Sequence, residues 1–192
     1  KQIKEANPVY KQIEEGTSKT VRKVFTETEV ETLWPVLDGM IQASRQAALN
    51  DGTASMSEEL KQNFRGFFDE DTLSRVRYRV GGGGDLSLQQ NSFKYGDAIA
   101  ITLIDVIVFI DDARANDAAL WAHELRHVQQ FRDWGRVDFA KRYIRDHEAV
   151  EQEARDTANR FVPWFQQNVQ IAAAGNQGGY PGPGQGIPQP AM

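Results

Sequence analysis

Between Asp117 and Gly135 the chain carries no proline or glycine, and it places His123 and His127 four residues apart around Glu124. Residues at i and i+4 lie one above the other on a helix, so the two imidazoles can converge on a single ion with the glutamate beside them. Either Asn116 or Asp117 can cap the start and Gly135 can end the helix. Trp121, Leu125 and Val128 form one apolar stripe, and Leu120, Phe131 and Trp134 flank the histidines on the other side. A helix apolar on two faces belongs in the interior, where a histidine needs partners. The competing reading, a surface helix with two solvated histidines, fits that pattern poorly. The chain has only three histidines, and two of them stand in this arrangement.

A catalytic zinc takes three protein ligands and leaves a position open for water. The longer pattern with a glycine and a third histidine downstream is excluded, because Gln130 and Asp133 occupy those positions. The third ligand is therefore sought on the next helix, which Asp146 can cap and which is expected to end near Val162, before Pro163. Its apolar stripe is Val150, Ala154, Ala158 and Phe161, and Glu151 falls on it. Ala154 and Ala158 are small enough for close helix approach, whereas Glu148 and Glu153 project towards water. The plain alternative for Glu151 is an ion pair with Arg155. His147, one turn before Glu151, is either a competing ligand or a donor to the oxyanion formed during catalysis.

The run His123-Glu124-Leu125-Arg126-His127-Val128-Gln129-Gln130, with Glu151-Gln152-Glu153-Ala154 after it, resembles a gluzincin-type metallopeptidase domain. More narrowly it is similar to a bacterial family of unknown function found with extracellular contractile injection systems and toxins. That family's motif reads roughly H-E-L-T-H-V-x-Q-Q and then E-x-E-A-D. The likeness extends upstream through residues 98–103 and Val106–Phe109, and spans about Leu73 to Phe161. It implies Zn2+ on His123, His127 and Glu151, with Glu124 as the catalytic glutamate. It also implies a peptide or protein substrate laid out along an edge strand, for which Val106–Ile110 is the candidate. Arg155 stands where such patterns carry an aspartate that would orient a ligating histidine. His147 or Tyr143 is the expected oxyanion donor. The competing class is a binding or structural protein in which zinc only staples two helices together.

Composition narrows the field. A net charge of −5 without a basic stripe argues against nucleic acid as the partner. The absence of cysteine excludes disulfides and thiolate zinc sites. No apolar run approaches the ~20 residues of a membrane span. A chain that starts at Lys1 weakly favours an exported protein, secreted or periplasmic.

The expected fold class is α+β and zincin-like: a small mixed sheet packed on the HExxH helix, with further helices N-terminal to it. Residues 1–20 read as an extended arm, 21–174 as one domain with its HExxH core at about 73–162, and 175–192 as a disordered Gly/Pro-rich tail. Thr26-x-x-Glu29 is a capping box before a helix through Leu33, Val36, Met40 and Ile41 that ends near Asn50-Asp51-Gly52, with Pro35 close to its first turn. Ser55-x-x-Glu58 opens a second helix through Leu60, Phe64, Phe67 and Phe68, whose aromatics read as core. Val76, Tyr78 and Val80 alternate with Arg75, Arg77 and Arg79, which predicts a strand with a solvated basic face. Gly81 to Gly84 lacks the ending of a phosphate loop and reads as a mobile connection. Residues 98–103 and 106–110 are two further strands.

Overall fold

The computed structural model describes residues 24–81 and 99–176, with side chains as far as residue 168. The expected arm at 1–20, residues 82–84 of the glycine run, and the tail from 177 onwards lie outside the described residues.

Helix α1, Glu27–Asn50, opens on the anticipated capping box: Glu29 N–H donates to the Thr26 hydroxyl, and Thr26 N–H donates to the Glu29 carboxylate at 2.8 Å. Pro35 lies well inside this helix, not at its first turn. The helix survives because Val30, Leu33, Leu37 and Ile41 are buried together against Phe131, Phe139 and Ile144, and that packing outweighs one lost backbone hydrogen bond.

A short strand β1, Ala54–Ser55, and helix α2, Glu58–Gln62, follow. Ser57, not Ser55, caps α2 by accepting from Leu60 N–H, and the helix stops before the phenylalanines. Gly66 has φ 89, a left-handed backbone that a continuous helix cannot contain. The turn it makes folds Phe64 and Phe68 into the interior. Helix α3, Glu70–Arg75, is capped by Asp69 and leads into β2, Arg77–Val80.

Strands β3, Ala100–Leu103, and β4, Val106–Phe109, form a hairpin, with Ile104 at φ 67 in the turn. Arg45 of α1 grips Asp105 in the same turn through an ion pair and a second bond of 2.9 Å. The sheet order is β1-β2-β4-β3, with β2 and β4 parallel and the other pairs antiparallel. Strand β4 is therefore interior, which corrects the expectation that it forms the edge. Every β4 residue is buried, as suits an apolar run covered on both faces. Among the described residues the edge on that side is β3.

The arginines of β2 are not a solvated face. Arg77 donates to the Thr53 hydroxyl at 2.6 Å and to the Thr53 carbonyl at 2.7 Å, and Arg79 lies 3.0 Å from Asp51. They clamp the loop after α1 to the sheet.

After helix α4, Asp112–Ala115, a long helical stretch α5, Ala118–Asn176, closes the fold. Its backbone breaks at Gly135 (φ 77, ψ 162) and at Asp146 (φ −156, ψ 79), which gives segments 118–134, 136–145 and 147–176. Asp117 caps the first segment by accepting from Ala119 and Leu120 N–H, and Asp146 caps the third by accepting from Ala149 N–H. The third segment does not end at Val162 but runs through Pro163. Phe161 stacks on Phe64 at 5.1 Å between ring centroids, and Trp164 lies 5.4 Å from Phe67. This cluster holds the helix on course past the proline.

Among the described residues the fold is α+β, a four-stranded mixed sheet between helices. Ile107 and Phe109 on one face meet Trp121, Ala122 and Leu125 of the HExxH segment. Val106 and Val108 on the other meet Ala48 of α1. No helix among the described residues is long and apolar enough to cross a membrane.

Candidate metal centre

Trp121, Leu125 and Val128 seat the 118–134 segment on the sheet, which leaves His123 and His127 facing the 147–176 segment. Fully buried Ala154 and buried Val150 let that segment approach. The result is a three-residue cluster of His123, His127 and Glu151, whose ligand atoms lie within 4.8 Å of one another. His123 Nε2 is 3.2 Å from Glu151 Oε2, His127 Nε2 is 3.5 Å from Glu151 Oε1, and the two Nε2 atoms are 3.1 Å apart. Donors held at about 2.0–2.1 Å in a tetrahedron stand about 3.3 Å from each other. The imidazole nitrogens meet that spacing, each Glu151 oxygen stands near it from one of them, and with one ligand atom per residue the set lies within 4.8 Å.

The electrostatics favour a cation here. Burial would depress the His127 pKa, but the Glu151 carboxylate beside it, with Glu124 adding to the field, outweighs burial and lifts it to about 9. Burial would likewise raise the Glu151 carboxyl, yet its bonds to His123 and His127 hold it well below the usual carboxylate range. The negative field that retains a proton at this point is the field a metal ion would meet.

Glu124 is 4% exposed, and its Oε2 accepts from the Thr102 hydroxyl at 2.7 Å. That hydroxyl also lies 3.2 Å from the Glu124 carbonyl oxygen. Strand β3 therefore touches the central acid of the motif. Gln130 is fully buried and lies 2.7 Å from His127 Nδ1 through its Oε1. Its Nε2 donates to the Val150 carbonyl at 3.1 Å and to Glu153 Oε2 at 3.2 Å. Glu153 is exposed, as expected, and the same oxygen accepts from Arg126 at 2.9 Å.

His147 stays outside the cluster. It is half-buried at the head of the third segment, with its ring 6.0 Å from that of Tyr143. Tyr143 stacks on Phe139, whose ring lies 6.4 Å from His127. Arg155 does not pair with Glu151. It is engaged on the surface by Glu148 and Gln152. A groove of about 510 Å³ runs past Arg126, Glu153 and Arg160, and none of the three cluster residues lines it.

Sequence reasoning passed over Thr102 and Gln130. Gln130 had a local signal, because a glutamine three residues after His127 shares its helix face. Thr102 had none, since only the strand packing brings it to Glu124.

No curated protein and no solved structure matches the chain. Residues 55–135 match the model of the eCIS core domain, which links this part of the chain to the family associated with extracellular contractile injection systems. The matched segment takes in Thr102, His123, Glu124, His127 and Gln130 and stops short of Glu151.

Proposed function

We propose that this chain is a zinc-dependent metallopeptidase of zincin-like architecture. The observation that carries this reading is the convergence of His123 Nε2, His127 Nε2 and the Glu151 carboxylate, with ligand atoms within 4.8 Å of one another on two facing helical segments. Among the described residues no fourth histidine or acidic side chain joins the cluster, which supports a position left for water. His123, His127 and Glu151 would hold the zinc ion, which when bound would supply an acidified water and a Lewis acid for the scissile carbonyl. Glu124, fixed by Thr102, takes the proton of the attacking water and delivers it to the leaving amine. A peptide in extended form pairs with β3, the sheet edge that carries Thr102. The link to injection systems favours a protein substrate over nucleic acid.

One feature favours the second reading, a zinc staple without catalysis. The cluster joins segments separated by two backbone breaks, and an ion there would hold them together whether or not it reacted. Elemental analysis of the purified protein beside His123→Ala and Glu151→Ala tests the site: about one zinc per chain, lost in both variants, is expected. Glu124→Gln then separates the readings. Hydrolysis abolished with zinc retained supports the peptidase; a wild type that binds zinc and cleaves no peptide supports the staple.

A further inference from the structure

We propose that Gln130 is the positioning residue of the metal centre: it fixes His127 with the proton on Nδ1 and the lone pair of Nε2 directed to the ion. This rests on the zinc reading above and adds to it the device that holds the ligand. The argument starts from the amide itself. Its two ends differ only in being acceptor or donors, and its surroundings decide which is which. One end faces two acceptors, the Val150 carbonyl and the Glu153 carboxylate, at 3.1 and 3.2 Å, so that end is the NH2. The other end, 2.7 Å from His127 Nδ1, is therefore the carbonyl oxygen and can only accept. Nδ1 must donate, which leaves Nε2 as the atom that turns towards His123 and Glu151.

Two further observations separate this from a glutamine that only stitches helices. The bond from Nε2 to Val150 already joins the first and third segments, and a stitch needs nothing on Oε1. The shortest of the three contacts is nevertheless the one to the imidazole. In addition, Arg155, one turn after Glu151, is held on the surface by Glu148 and Gln152 and does not pair with the cluster. The orienting partner lies on the ligand's own helix, one turn on. Arg126 completes the arrangement by engaging the same Glu153 oxygen. It holds that carboxylate in place as the acceptor that prevents the amide from turning over.

The test is zinc affinity, measured by competition with a chromophoric chelator, for wild type, Gln130→Met, Gln130→Glu and His123→Ala, with folding followed by circular dichroism. Gln130→Met keeps the volume and loses the acceptor, and should bind zinc about 10–100-fold more weakly. Gln130→Glu keeps an oxygen acceptor towards His127 Nδ1 and should bind zinc more tightly than Gln130→Met. Wild-type affinity in Gln130→Met would overturn the proposal and leave the zinc site standing. No zinc bound by wild type, or equal binding by His123→Ala, would overturn the site and this proposal with it. A measurement on zinc-loaded wild type guards against variants that fail to fold: nitrogen-15 NMR of the His127 ring should show a protected proton on Nδ1. A proton on Nε2 with the metal on Nδ1 would refute the assignment.

Discussion

The Thr102 hydroxyl donates to Glu124 Oε2 at 2.7 Å, and this one bond ties the edge strand of the sheet to the central acid of the HExxH helix. Thr102→Val preserves shape and removes the donor. It should cost about 1–3 kcal/mol of stability, since a buried carboxylate loses its partner. In the peptidase reading kcat should fall while zinc affinity is unchanged, and Thr102→Ser should restore both stability and rate. Chemical denaturation beside steady-state assays checks this.

Gly135 sets the angle between the first two segments of α5. At φ 77 and ψ 162 its backbone is open essentially to glycine alone. A Cβ added there would meet nothing within 4 Å, so the penalty of Gly135→Ala comes from the backbone and not from a clash. The expected loss is about 1–3 kcal/mol, read as a lowered denaturation midpoint.

Phe161 is fully buried among Phe64, Phe67, Phe68, Trp164 and Phe165. Phe161→Ala should cost about 3–5 kcal/mol. Because this cluster sustains the helix beyond Pro163, the variant should also lose helical signal by circular dichroism, beyond what cavity formation alone would remove.

Asp69 supplies the acid-sensitive element. Burial would raise its carboxyl, but Arg132, at 2.8 and 2.9 Å, and the Thr72 amide and hydroxyl hold it well below the usual range. A carboxyl depressed in the folded state adds stability that is fully present above its unfolded pKa of about 3.9 and is lost as pH falls through the folded value. Denaturation midpoints between about pH 2 and 5 should therefore fall less steeply for Asp69→Asn, which still caps α3, than for wild type.

What could be read from the sequence was what short-range chemistry decides. The capping box at Thr26, the stop at Gly135 and the cap at Asp146 each depend on a few consecutive residues, and each is present. Helical periodicity puts Glu151 on the buried stripe of its helix, and the family resemblance joins it to the two histidines. The failures share a different cause. Which of two apolar strands lies inside the sheet, whether a helix passes Pro163, and where Arg77 and Arg79 turn are settled by partners far along the chain. Thr102 reaches Glu124 only because β3 pairs with β4 and the sheet seats the helix. No pattern within β3 announces that contact.

The two breaks at Gly135 and Asp146 mean that His123 and His127 belong to one rod and Glu151 to another, with a third rod between them. Unfolded, the chain offers an ion two histidines at most in register. The third donor arrives only when the first and third segments of α5 have packed together. An ion at this point would therefore act by mass action on folding itself, stabilising by RT ln(1 + [Zn]/Kd), or about 2.7 kcal/mol at a hundredfold excess over Kd. The availability of metal in the surroundings would then set how much of the chain stands folded.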